Sequence, residues 1–243
     1  MGSVWQSACA PEHLIAMFLS DDDQKAIRDR LRSMESPVKL INFTQELECQ
    51  FCRETRGLLE QLARLSDKIP LEVYNFQLDK TEVSRYRVDR IPAIVVAGEK
   101  DHGIRFYGIP SGYEFVSLLG IVLHVSSGDS GLKPETLDQL RELDRPVHLQ
   151  VFVTPTCPYC PRTVMLAHQL ALASDLVTAD MVEATEFPQL VHRYGIRSVP
   201  HTVVNEEVSI PGAMPEGDYV RQVLESVVAG RVAADETTPL QGR

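Results

Sequence analysis

The feature that most restricts how this chain folds is that it carries the same pattern twice. Two CxxC pairs occur, "ECQFCRE" with Cys49 and Cys52 and "TCPYCPR" with Cys157 and Cys160, and the second follows the first by 108 residues (157 − 49). Pro92 in "RYRVDRIPAIVV" (85–96) and Pro200 in "RYGIRSVPHTVV" (193–204) share that offset (200 − 92 = 108). Upstream, "PVKLINF" (37–43) answers "PVHLQVF" (146–152) at 109, so one extra residue sits in the first copy between Phe43 and Cys49. A register held across three separate stretches with a single one-residue slip is a duplicated unit, not chance similarity.

The two copies share an order of elements. In the first, a helix is predicted over 20–34, with Ser20 as cap and Asp21, Asp22 and Asp23 in the first turn against the helix dipole. A strand over 38–44 runs into the CxxC, and a helix follows with Leu58, Leu62 and Leu65 on one face. Then come a strand over 71–77, a short helix near 80–86, the strand "AIVVA" after Pro92, a turn and strand in "GEKDHGIRFYGIPSG", and a closing helix in "GYEFVSLLGIVLHV". The second copy repeats this with "PETLDQLREL", "VHLQVFV", the CPYC helix, "LVTADMVEA", "FPQLVHRYGI", "PHTVV", "EEVSI" and "DYVRQVLESVV". The small, polar "SSGDSG" at 126–131 reads as the linker. The expected division is a mobile extension over 1–16, units over 17–127 and 128–231, and a mobile tail over 232–243.

Composition narrows the functional classes. With 44% hydrophobic and 24% charged residues the chain is of the soluble globular type, and a net charge of −10 repels nucleic acid and anionic membrane surfaces. The N-terminal apolar run at 14–19 is too short for a secretory signal, and no stretch approaches the roughly 20 apolar residues that span a bilayer. The chain reads as cytoplasmic, where closely paired cysteines are more often catalytic or metal-binding than structural.

A strand that runs into a CxxC at a helix start sets the first sulfur near unpaired backbone N–H groups and the positive end of the helix dipole, which favours thiolate. The second sulfur, three residues on, faces the same side of the turn and can attack a mixed disulfide formed by the first. Cys157 and Cys49 are thus expected to attack, and Cys160 and Cys52 to resolve. The two sites are not expected to be equal. Glu46, Glu48 and Glu54 surround Cys49, against Arg53 and Arg56, while 151–165 contains Arg162 and no carboxylate.

A strand, "CPYC" at a helix start, and "VP" further on resemble the thioredoxin/glutaredoxin fold. Two such units with "VFVTPTCPYCP", "DMVEA" and "RYRVDRIPA" resemble, over roughly residues 17–230, the tandem glutaredoxin-like protein disulfide oxidoreductases of thermophilic archaea and bacteria. The resemblance implies an α/β chain of two tandem folds, each a mixed sheet flanked by helices. It also implies exchange with protein disulfides at Cys49/Cys52 and Cys157/Cys160, and cis Ile91–Pro92 and Val199–Pro200 bonds as substrate-binding positions. No nucleotide fingerprint occurs in the chain, so no cofactor is expected on it; a partner NADPH- and flavin-dependent, thioredoxin-reductase-like protein is implied as electron source, with a peroxiredoxin among recipients.

Two other readings stay open at this point. Four thiolates form a legitimate zinc set, although the gap from Cys52 to Cys157 is far longer than in zinc ribbons. A duplicated binding or scaffold module with incidental thiols is the other. Where thioredoxins bury an aspartate before the CxxC, this chain has Asn42 and Val151, so Glu183 and His201 are the candidate modulators of the second site. Cys9, without a repeat partner, is expected to be dispensable.

Overall fold

A computed structural model of the chain describes residues 19–236; the expected extension, with Cys9, and residues 237–243 lie outside them. The elements are α1 Asp21–Leu31, β1 Lys39–Thr44, α2 Cys52–Ala63, β2 Leu71–Asn75, α3 Lys80–Arg85, β3 Ala93–Ala97, β4 Asp101–Tyr107 and α4 Glu114–Ser127. The second copy repeats them as α5 Pro134–Arg141, β5 Val147–Val153, α6 Cys160–Ala173, β6 Val177–Glu183, α7 Pro188–Arg193, β7 His201–Val204, β8 Val208–Pro211 and α8 Glu216–Glu236. Ser20 caps α1 as expected, in a capping box closed by Asp23. α8 continues through "RVAADE", a stretch of good helix propensity, to Glu236.

Within the first copy β1 pairs parallel with β2 and antiparallel with β3, which pairs antiparallel with β4. The second copy has the same ladder through β6, β5, β7 and β8. What the repeat alone does not reveal is that β4 also pairs parallel with β6, from Ile104↔Ala179 to Tyr107↔Val182. The result is one eight-stranded sheet in the order β2-β1-β3-β4-β6-β5-β7-β8. Both joining strands would otherwise present an unpaired apolar edge, and pairing satisfies their backbone groups. The chain directions then follow: β1 and β5, the two strands that lead into the CxxC motifs, run the same way. Both motifs therefore lie along one edge of one sheet.

Side chains alternate between the two faces. One face, with Leu40, Ile104, Phe106, Leu149 and Met181, is covered by the longer helices in a core that runs through both copies. The other, with Phe43, Val95, Phe152 and Val182, is covered by the residues around α3 and α7, among them Tyr86 and Phe187. The copies also interlock through helices: Gly120 of α4 lies so close to Met165 of α6 that a Cβ there would approach the Met165 methyl to 2.4 Å. The first two residues of the expected linker belong to α4, which ends at Gly128 in the left-handed region. Ser126 is buried, donating from Oγ to the Ser36 carbonyl at 2.6 Å. Among the described residues no helix is long and apolar enough to cross a membrane.

Candidate active sites

Each CxxC is closed as a disulfide, Cys49–Cys52 and Cys157–Cys160, with Cα separations of 5.5 and 5.6 Å. The helices begin at the second cysteine, so Cys49 and Cys157 sit in the turn just before the first helical turn rather than within it. The N-cap positions, Phe51 and Tyr159, make no side-chain cap bond, in contrast to Ser20 on α1. The first-turn N–H groups of α2 and α6 are thus left without a side-chain acceptor, apart from Pro161 in α6, which has none to offer, and a helix N-terminus next to a sulfur favours its thiolate. Within each pair the outer sulfur is the accessible one. Cys49 is half-buried and Cys52 1% exposed; Cys157 is 9% exposed and Cys160 fully buried.

Ile91–Pro92 and Val199–Pro200 are both cis. The Cys157 sulfur lies 3.9 Å from the Val199 carbonyl oxygen, so this segment flanks the second disulfide. The same backbone bond fixes both loops, Gly108 N–H to the Pro92 carbonyl at 2.9 Å and Gly212 N–H to the Pro200 carbonyl at 2.8 Å. Asn42 is fully buried and donates to the Ala93 carbonyl at 3.1 Å. It is a strut for the strand after the proline and cannot act as a base.

Of the two candidate modulators, His201 shares a sheet face with Val203, on the α7 side, whereas Cys157 and Cys160 pack in the core beneath the long helices. Burial holds its imidazole below the ordinary range. Glu183 does lie on the helix side, only 1% exposed, and accepts from Thr185 Oγ1 at 2.6 Å and the Glu186 N–H at 2.7 Å. Its other oxygen is buried without a partner.

Two further carboxyls escaped the sequence reading. Glu114, the first residue of α4, is 1% exposed; burial pushes its carboxyl up to about 7 against the opposing Ser117 hydroxyl, which donates to it at 2.7 Å. The neighbouring backbone seats it at the second site. Tyr113 N–H donates to the Pro155 carbonyl, two residues before Cys157, at 3.1 Å. Gly112 there has φ +60, and a Cβ on it would meet that carbonyl at 2.4 Å. Parallel packing of α4 on α6, continued at Gly120 and Met165, keeps Glu114 beside the start of the CPYC helix. A signal for it existed: Glu114, Ser117, Leu118, Ile121, Val122 and Val125 form the buried stripe of α4, and the glutamate heads it. Glu186 is the other, at the seam between the copies, with burial pushing it up to about 7.

Each sulfur is committed within its own motif, and among the described residues no group of three or more His, Cys, Asp or Glu is placed to hold a metal.

Comparison with known proteins agrees with this geometry. Residues 147–225 match the thioredoxin domain family. A protein disulfide oxidoreductase from Aeropyrum pernix K1 superposes with a TM-score of 0.79 at 29% identity, covering 92% of this chain and 97% of that one. The NTD_N/C domain of alkylhydroperoxide reductase from Enterococcus faecalis gives 0.78 at 25% identity, covering 84% of this chain and 99% of the domain. Among curated sequences, the F component of alkyl hydroperoxide reductase from Pseudomonas aeruginosa is 28% identical over 75% of this chain, which spans 32% of that relative's length. The chain is built of two tandem thioredoxin folds, each carrying one CxxC disulfide, and is similar over most of its length to an archaeal protein disulfide oxidoreductase.

Proposed function

We propose that the two units, 17–127 and 128–231, are exchange modules that reduce disulfides of other proteins in the cytoplasm. The observation that carries this reading is the paired arrangement of sulfurs: in each disulfide the outer cysteine is the more exposed, Cys49 half-buried and Cys157 at 9%, and the inner one is buried at the helix start. In the reduced protein the Cys157 thiolate attacks one sulfur of a substrate disulfide, and the other substrate sulfur leaves as a thiolate that takes up a proton. Cys160 then gives up its proton, attacks Cys157, restores the intramolecular disulfide and releases the second substrate thiol. Cys49 and Cys52 do the same in the first unit. Ile91, Pro92, Val199 and Pro200 line the docking position of the substrate backbone.

Glu114 is suited to the proton step at the second site. A buried carboxyl that titrates near neutrality both accepts and returns a proton there. Surface chemistry supports a protein substrate: Tyr113, Val116 and Tyr159 near Cys157, and Leu47 and Leu78 in the loops of the first unit, are large exposed apolar side chains on the sheet edge that bears both dithiols. Electrons come from a separate NADPH- and flavin-dependent reductase, and a peroxiredoxin is a fitting recipient. The test is insulin reduction with dithiothreitol: wild-type protein should precipitate insulin catalytically, and the Cys49→Ser/Cys157→Ser protein should not exceed the uncatalysed rate. Undiminished catalysis in that double variant would refute the reading.

A further inference from the structure

The two units meet at a group of carboxylates that the exchange reaction does not obviously use. Glu186, in the turn after β6, accepts from the Ile109 N–H of the first unit at 2.7 Å, and its own N–H donates to Glu183 at 2.7 Å. Glu54 of α2, two residues past Cys52, is close enough to repel it. One oxygen of each, Glu54 Oε2, Glu183 Oε1 and Glu186 Oε2, is buried with no hydrogen-bond partner.

Ionised carboxylates only accept hydrogen bonds, so three orphaned buried oxygens of like charge are costly as they stand. A proton on one converts it into a donor and removes one charge from the group. No cation performs that service among the described residues: Arg53 is exposed, Arg56 is bonded to Glu60 at 2.7 Å, and Thr185 and Ile109 are the neutral donors. Glu114, which heads the helix after the Ile109 loop, is bonded to Ser117.

We propose that Glu186, held between Glu183 of the second unit and Glu54 of the first, carries an exchangeable proton that tunes the reactivity of Cys49. The inference rests on Cys49 being the attacking thiol of its pair. Burial, then the nearby carboxylates Glu183 and Glu54, raise the Glu186 carboxyl to about 7 against the opposing Ile109 N–H, so the proton is exchangeable at physiological pH. With the proton bound, the seam carries one negative charge fewer and the Cys49 thiolate forms more readily; once it leaves, thiolate and carboxylate disfavour each other. The Cys49 titration should accordingly be spread over a wider pH range than that of a single group.

Infrared titration of the oxidised protein isolates the proton, because disulfides do not titrate. The wild-type protein should lose two protonated-carboxyl C=O bands around pH 7; Glu186→Gln should abolish one of them and Glu114→Gln the other. In Glu54→Gln, which keeps Glu186, the seam band should titrate at lower pH. Iodoacetamide alkylation of reduced Cys49, resolved by peptide mass, should then be about threefold faster at pH 7 in Glu186→Gln, with a narrower pH profile. A full band pair in Glu186→Gln overturns the proposal, as does an unmoved seam band in Glu54→Gln or an unchanged Cys49 profile. Insulin reduction by the wild-type protein separates a failure here from a failure of the exchange function: catalysis with an unmoved Glu186 band sinks only this proposal, whereas no catalysis at all sinks the exchange reading.

Discussion

The two dithiol centres share a backbone and differ in their neighbours. Cα separations within the disulfides agree to 0.1 Å (5.5 and 5.6 Å), and the same Gly N–H bond holds each proline loop. Around that frame the second helix, α6, is covered by α4 of the preceding unit, which delivers Glu114, while α2 lies next to Glu183 and Glu186 from the following one. The cause is the head-to-tail joint between β4 and β6. Two copies make only one such joint, so they cannot occupy equivalent places. The contrast extends along the sheet: β6, in the middle, is almost wholly buried, whereas its counterpart β2, at the edge, leaves Val73 37% exposed. Duplication copies the active-site scaffold, and position within the tandem differentiates the chemistry.

The largest expected effect separates outer from inner sulfurs. Cys160→Ser should trap a substrate mixed disulfide through Cys157, and Cys52→Ser one through Cys49, both visible as a reducible mass increment; trapping by Cys157→Ser instead would reverse the assignment. Next comes Glu114. With the first centre removed as Cys49→Ser/Cys52→Ser, Glu114→Gln should slow insulin reduction about 10- to 100-fold and erase an inflection near pH 7, as expected for a lost proton carrier. With the second centre removed instead, the same substitution should change the rate less than about twofold. Equal losses at both centres would remove the distinction between them.

A smaller effect is thermodynamic. The Glu114 carboxyl is raised from 4.5 to about 7, so the folded state binds this proton more tightly than the unfolded one. The stabilisation is complete below pH 4.5 and is lost as pH rises to 7, on the order of 3 kcal/mol in all. Glutamine does not titrate. Urea midpoints of oxidised Glu114→Gln relative to wild type should therefore improve between pH 4.5 and 7 and level off above. His168, driven down to about 3 by burial, has the opposite slope over pH 3–6.5, but it is common to both proteins and cancels in the difference. A flat difference would place Glu114 in contact with water. The smallest effect concerns Glu48, whose φ of +57 precedes Cys49 and has no counterpart at Thr156. Glu48→Gly should stabilise the oxidised protein by about 0.5–1 kcal/mol, measured by the same urea titration.

Much of this was legible because repetition and periodicity are local. The CxxC pairs, both prolines and every helix and strand could be placed from spacing and patterning alone, down to the Ser20 cap. The joint between β4 and β6 was not, because both copies read as complete units and no local signal says which edge of one meets the other. Glu183 could as well have been a solvated strand-end residue until Gly108 and the 183–186 turn closed over it. Glu114 heads the buried stripe of α4, a signal legible in the sequence, but its place depends on α4 packing against the other unit's CxxC helix. His201 follows Pro200 in sequence, yet strand alternation turns it to the far face.

The central claim, that surroundings and not scaffold set the two centres apart, is tested most directly by competitive alkylation. Cys49 is the more accessible of the two outer cysteines, but Glu46, Glu48 and the Glu54 seam lie on its side, while Arg162 is near Cys157. One charge about 6 Å away at an effective dielectric of about 20–80 is worth about 0.7–3 kcal/mol, up to about two pKa units, enough to outweigh a modest difference in access. Limiting iodoacetamide at pH 7 and low salt should alkylate Cys157 of the fully reduced protein several-fold faster than Cys49, and the ratio should shrink in high salt. Equal rates, or a faster Cys49, would show that accessibility rather than charge distinguishes the two centres.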